Sequence, residues 1–104
     1  MRGDVFAIKA PRDARGHDQQ GRRYAVQVQS DDLVLSTLLV APTSTSARPT
    51  SFRPAVEIDG RRTLVLVEQT TAVDPSRLGR GVGRLSRADL DALDDAFRMV
   101  LAMD

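Results

Sequence analysis

The chain has 104 residues, 41% apolar, 28% charged and 4% aromatic, with a net charge of +1. That length suits one domain over 1–104 that buries about two-thirds of its unfolded surface, around a core of Val, Leu and Ala rather than rings. Cysteine is absent, which excludes disulfides and thiolate metal sites and fits a reducing compartment. No apolar run approaches membrane-spanning length and the N-terminus has no signal-peptide core, so a cytoplasmic protein is expected. Residues 1–62 hold ten Lys/Arg against seven Asp/Glu, and residues 63–104 hold five against seven. The basic first part could face a polyanion; a normal mixed surface explains it as well.

Gly3 to Lys9 carries Val5, Phe6 and Ile8 and predicts a first strand. Pro11 to Gly16 interrupts it. From Arg23 to Gln29, Tyr24, Val26 and Val28 alternate with Ala25, Gln27 and Gln29. That period of two predicts a strand with one apolar and one polar face. The preceding Gly16 to Arg22 is polar, is bracketed by glycines and holds the only histidine. A loop that delivers Arg23 to the root of a strand offers a guanidinium able to grip phosphate with two parallel bonds. His17 and Asp18 lie a few residues upstream, and the three groups together suit proton movement at a phosphate. Taken alone, Arg22 and Arg23 read better as solvated strand-end charges and Asp18 as a turn former.

Ser36 to Ala41 predicts a buried third strand ending at Pro42. The hydroxyls of Thr43, Ser44, Thr45 and Ser46 follow, as a surface turn or as donors aimed at an anion. Ala47 to Pro54, with Arg48 and Arg53 between prolines, predicts a loop. Ala55 to Ile58 and Thr63 to Val67 flank Asp59-Gly60, a strong hairpin signal, here with a connection of about four residues. Glu68 and Gln69 follow at a strand end, where solvated polarity is the simpler reading. Asp74-Pro75-Ser76-Arg77 predicts one helical turn capped by Asp74. Gly79 to Leu85 predicts a short glycine-rich strand. Ser86 then caps a helix, with Asp89 three residues on. Its apolar stripe of Leu90, Leu93, Phe97, Val100 and Leu101 packs on the sheet or on a partner. This helix is structural.

One histidine and no cysteine leave no zinc site. Neither a phosphate loop nor a dinucleotide fingerprint occurs. His17, Asp18 and Ser44 lack the nucleophile-elbow context of a hydrolase.

In order, these motifs resemble the MazF/PemK toxin family. Met1-Arg-Gly-Asp-Val5 is similar to that family's opening strand, and Gly16-His-Asp-Gln-Gln-Gly-Arg-Arg23 to its first long loop. Val40-Ala-Pro-Thr-Ser44-Thr45 resembles its third strand end. Val67-Glu-Gln69, Val73-Asp-Pro-Ser-Arg-Leu78 and Gly83-Arg-Leu-Ser86 resemble its last strand and the run into its final helix. The resemblance implies a mainly β fold with a C-terminal helix, an SH3-like small β-barrel of the MazF/CcdB kind, working as a homodimer. It also implies a sequence-specific, metal-independent endoribonuclease that cuts single-stranded RNA, and an antitoxin protein partner. By position, the family's catalytic arginine falls on Arg23 and its catalytic threonine on Ser44 rather than Thr43. Its RNA-contacting loop falls on His17, Asp18 and Gln19. Two departures are Tyr24, where the family usually has proline, and Ser44 itself.

RNA carries its own nucleophile, the 2′-hydroxyl. On this reading Arg23 clamps the phosphate and Ser44 donates to a non-bridging oxygen. His17 or Asp18 serves as acid or base, and no cofactor or metal is required. Gln19, Arg22, Thr43, Thr45, Arg48, Arg53, Glu68 and Gln69 complete an expected RNA track. The products expected are a 2′,3′-cyclic phosphate and a 5′-hydroxyl. The competing class is a non-enzymatic poison like the CcdB gyrase inhibitors, which resemble this fold and bind a protein. An inert adaptor barrel is a third.

Overall fold

The computed structural model describes residues 1–8 and 23–104. Within them lie seven antiparallel strands and one α-helix: β1 Asp4–Ile8, β2 Tyr24–Gln27, β3 Leu38–Ser44, β4 Ala55–Ile58, β5 Arg61–Val65, β6 Thr71–Val73, β7 Leu78–Arg84 and α1 Arg87–Val100. The strand order is β4-β5-β3-β2-β1-β7, with β6 also paired to β3. The sheet curls into a half-barrel with the helix at its C-terminal end, as the sequence predicts.

β3 organises the sheet because it serves two neighbours along one edge. Its first half pairs with β6 (Leu38 with Val73, Val40 with Thr71) and its last residues pair with β5 (Thr43 with Val65, Ser44 with Leu64). Pro42 stands at the changeover. It has no N–H to strand there, and its carbonyl still accepts the Leu66 N–H at 2.9 Å. This corrects the strand expected to end at Ala41: the strand runs through the proline to Ser44, and Ser36 and Thr37 precede it.

The second strand also departs from expectation. It is shorter, and all four residues are buried rather than alternating. Gln27 and Gln29 are 7% and 4% exposed and are tolerated inside because their amides are bonded. The Gln29 side chain accepts the Leu39 N–H at 3.1 Å and donates to the Leu33 carbonyl at 3.3 Å. Gln27 accepts from the terminal amine at 3.3 Å.

The β4–β5 hairpin is tighter than expected. Ile58 pairs with Arg61, so only Asp59 and Gly60 turn, with φ of 53° and 78°. Two successive positive φ values define the primed turn that matches strand twist. Arg61 and Arg62 belong to the strand, paired with Ile58 and Glu57, and keep their charged side chains exposed. After Leu66, Val67–Gln69 forms a 3₁₀ turn and β6 follows, a strand the sequence reading did not include.

The expected turn at Pro75–Arg77 is present, with the Asp74 carboxylate accepting the Ser76 N–H at 2.9 Å. That bond holds the Asp74 carboxyl below its ordinary pKa. The predicted helix cap also holds: Ser86 Oγ accepts the Asp89 N–H at 3.1 Å. Leu93 and Ala96 are buried against Val5, Tyr24, Val26, Ala41, Val56, Ile58, Val65 and Val67. Each fully buried Leu or Val stabilises by about 1.5–3 kcal/mol relative to exposure. Gly3, with φ of 92°, lets the chain enter β1 under this helix. A Cβ there would meet Leu90 Cδ2 at 3.0 Å.

Candidate RNA-cleaving site

Strand register decides which side chains can meet. β2 and β3 pair as Ala25 with Pro42, Val26 with Ala41 and Gln27 with Val40. Continued by two residues, that register sets Arg23 opposite Ser44 at the adjoining strand ends. The backbone bonding agrees. The Arg23 carbonyl accepts from Ile8 N on β1 at 3.1 Å, so Arg23 turns its backbone away from β3. Positions paired without backbone bonds bring their side chains closest. Both side chains then project on the face of Ala25 and Pro42, away from the face of Tyr24, Val26 and Ala41, which is in the core. Arg23 is exposed and Ser44 half-buried. Among the described residues, no carboxylate pairs with Arg23.

Ser44 is held as a donor. Its Oγ accepts the Ala47 N–H at 2.9 Å and the Ser46 N–H at 3.2 Å. A hydroxyl has two acceptor lone pairs and one proton. With both lone pairs engaged by the turn, the proton is the part left to offer. Ser46 Oγ, 3.5 Å away, is too distant to bind it well. Thr43 is arranged differently. It is 5% exposed, and its hydroxyl crosses to the Tyr24 carbonyl at 3.2 Å. Adjacent residues of a strand point to opposite faces, so Ser44 faces out where Thr43 faces in. Thr45 is exposed in the turn that follows.

The structure joins two other expected site residues to each other. Arg53 Nη2 and Nε donate to Glu68 Oε2 at 2.6 and 3.0 Å. Arg53 Nη1 reaches the Arg48 carbonyl at 3.0 Å, and the guanidinium lies 5.8 Å from the Phe52 ring centroid. This pins the loop after β3 to the 3₁₀ turn. The bonded Arg53 guanidinium holds the Glu68 carboxyl below the usual glutamate range. Both residues are candidates from the sequence, but their pairing is not, since a separation of fifteen residues gives no signal. Arg48 and Gln69 are exposed. His17, Asp18, Gln19 and Arg22 lie outside the described residues. Among the described residues no three His, Asp or Glu side chains group as metal ligands, and no helix is long and apolar enough to cross a membrane.

A second feature lies beside the helix. A groove of about 570 Å³ runs between α1 and the sheet, walled by Val28, Leu39, Val67, Phe97, Val100 and Leu101. Its charged rim is internally neutralised: Arg2 pairs with Asp94 at 2.7 Å, and Glu68 with Arg53. Next to it the β2–β3 connection holds out Leu33, Val34 and Leu35, with Val34 96% exposed.

A curled antiparallel half-barrel, closed by a C-terminal helix, with an arginine and a hydroxyl facing across adjacent strand ends, is the class of protein described so far. Residues 1–101 match the family described as PemK-like, MazF-like toxin of type II toxin–antitoxin system. The chain belongs to that family. It is 42% identical over 73 residues to the Mycobacterium tuberculosis protein Rv3098A, covering 70% of this chain and 69% of that one. It is 30% identical over 111 residues to the endoribonuclease EndoA of Bacillus subtilis strain 168, covering 98% and 94%. The fold superposes with a TM-score of 0.78 on a mycobacterial endoribonuclease solved in complex with its cognate antitoxin. That match has 14% identity and covers 100% of this chain and 96% of the other.

Proposed function

We propose that this chain is the toxin of a toxin–antitoxin pair and acts as an endoribonuclease on single-stranded RNA in the cytoplasm, with Arg23 and Ser44 as its catalytic residues. The observation that carries the reading is the strand register that sets these two side chains across from each other on one outward face. Arg23 stabilises the negative charge that builds on phosphorus as the RNA 2′-hydroxyl attacks. Its part is that of a fixed charge and a two-pronged donor to phosphate, not of a proton carrier. Ser44, whose lone pairs are engaged, donates its proton to a non-bridging phosphate oxygen. His17 or Asp18 takes the 2′-proton or returns one to the departing 5′-oxygen, since imidazole titrates near neutrality. Phosphorus loses its bond to the 5′-oxygen as the bond to the 2′-oxygen forms, giving a 2′,3′-cyclic phosphate and a 5′-hydroxyl. No step calls for a metal ion.

Gln19, Arg22, Thr45, Arg48 and Gln69 extend the RNA track. Arg53 contributes by fixing Glu68 and the loop it anchors. The antitoxin competes for this basic surface with acidic side chains set among apolar anchors. The working form is a homodimer. One chain presents both a protruding apolar loop (Leu33 to Leu35) and, beside it, an apolar groove whose charges are already paired. A two-fold axis lets each copy seat its loop in the other's groove. Exposed apolar surface of this extent marks an interface.

The test is incubation of the purified protein with a long RNA in excess EDTA, with the fragment ends analysed chemically. Cyclic phosphate ends that vanish in Arg23→Ala support the reading. Intact RNA, or cleavage equal in Arg23→Ala, defeats it.

A further inference from the structure

We infer that Thr43 is a positioning residue for the Arg23–Ser44 pair, acting through the bond from its hydroxyl to the Tyr24 carbonyl; this rests on the catalytic reading above. Strand ends fray unless something ties them, and the recorded pairing of β2 with β3 stops at Ala25 and Pro42. The Thr43–Tyr24 bond, at 3.2 Å, lies one residue further out. The next residue on each strand is Arg23 on one side and Ser44 on the other. The bond therefore spans the two strands at the last step before the reacting groups.

Its surroundings make it a firm spacer. Thr43 is 5% exposed and pairs across with Val65, which is fully buried. A β-branched side chain has restricted freedom at χ1, and burial beside Val65 restricts it further, so the hydroxyl is held on its target. Thr43 cannot reach RNA from this position without leaving the core. Its part is to set the distance between a guanidinium and a hydroxyl that must reach one phosphate together. Catalytic geometry is sensitive on that scale, since a displacement of about 1 Å can cost on the order of a hundredfold in rate.

Two near-isosteric variants separate this role from plain stability. Thr43→Val keeps the buried methyl and removes the hydroxyl. Thr43→Ser keeps the hydroxyl and removes the methyl. Each loses one native interaction, so both should melt somewhat below wild type. Their activities should diverge. Single-turnover cleavage should fall about ten- to a hundredfold in Thr43→Val with KM nearly unchanged, and Thr43→Ser should recover most of it. Thr43→Ala serves as a second hydroxyl-free variant should the valine protein not fold. Equal activity in the valine and serine variants, scaled to folded fraction, overturns the inference. So does a raised KM with unchanged kcat in Thr43→Val, the mark of a direct RNA contact. Arg23→Ala and Ser44→Ala run alongside. If those remain active, the catalytic reading fails; if they are inactive and Thr43→Val is not impaired, only the positioning role fails.

Discussion

Ser44→Ala tests the site most sharply, because the side chain has two separable duties. Inside the protein its oxygen accepts two turn N–H groups, at 2.9 and 3.2 Å. On the proposed mechanism its proton is the donor offered to RNA. Losing the two internal bonds costs about 0.5–1.5 kcal/mol each at most, and less where water replaces the acceptor, as it can at exposed Ser46. A total near 2 kcal/mol lowers the melting temperature of a domain this size by roughly 8–10 °C. Against a typical stability of at least about 5 kcal/mol, some 3 kcal/mol remains, and under about 1% of the variant is unfolded at 25 °C. Unfolding therefore cannot account for a large loss of rate. Removing one preorganised donor from the transition state costs about a hundred- to a thousandfold. Ser44→Thr keeps both duties, and its extra methyl restricts the rotamer, so its rate should equal or exceed wild type. The assay is single-turnover cleavage of a fluorogenic RNA in EDTA at 25 °C, with melting measured on the same samples. An alanine variant within fivefold of wild type refutes the assignment of Ser44.

Arg23→Lys should lose most activity although it keeps the charge, because an ammonium cannot make two parallel bonds to phosphate; a fully active lysine variant would reduce Arg23 to a point charge. The Arg53–Glu68 pair should add stability above the ordinary glutamate pKa of about 4.3, and lose it as pH falls through the lowered folded value. Glu68→Gln should therefore melt below wild type at pH 7 and converge with it as pH falls through the lowered folded value, and a gap that stays constant through that fall would show that the pair contributes nothing. Val34→Asp combined with Leu101→Asp should leave a folded monomer by light scattering at micromolar concentration, whereas a persistent dimer would place the interface elsewhere. RNA affinity should fall with salt more steeply than antitoxin affinity, since counterion release dominates only the former, and parallel slopes would contradict that difference.

Elements built from local rules were legible in the sequence. Ser86 and Asp89 announced the helix start, and Asp74-Pro75 the short turn, because caps depend on side chains one to three residues away. Asp59-Gly60 announced the hairpin, but its loop length was misjudged. Two arginines look like loop until one knows that both are exposed on β5. Pro42 misled for a related reason. Proline normally closes a strand, and only the exchange of β6 for β5 along one edge makes it harmless inside β3. Gln27 and Gln29 alternate with apolar residues as a solvent face would, yet they are buried, because their amides find partners inside: the terminal amine for Gln27, and the Leu33 carbonyl and Leu39 N–H for Gln29. None of these exceptions is visible without the tertiary neighbours.

At the site, the residue types are legible from the chain alone and the fold decides among them. Four hydroxyls in succession, Thr43 to Ser46, are equivalent as text. Strand parity divides the first two. Position 43 shares a face with Ala41 and the core, whereas position 44 shares one with Pro42 and with Arg23 across the strand. The turn then sets the polarity of Ser44, since the Ser46 and Ala47 amides engage its lone pairs. The same parity explains why a serine can stand where the resemblance to the family implies a threonine. At an inward position the lost methyl would leave a cavity in a packed core. At this half-buried, outward position it removes little packing. The hydroxyl is oriented by backbone amides, and that bonding does not depend on the missing methyl.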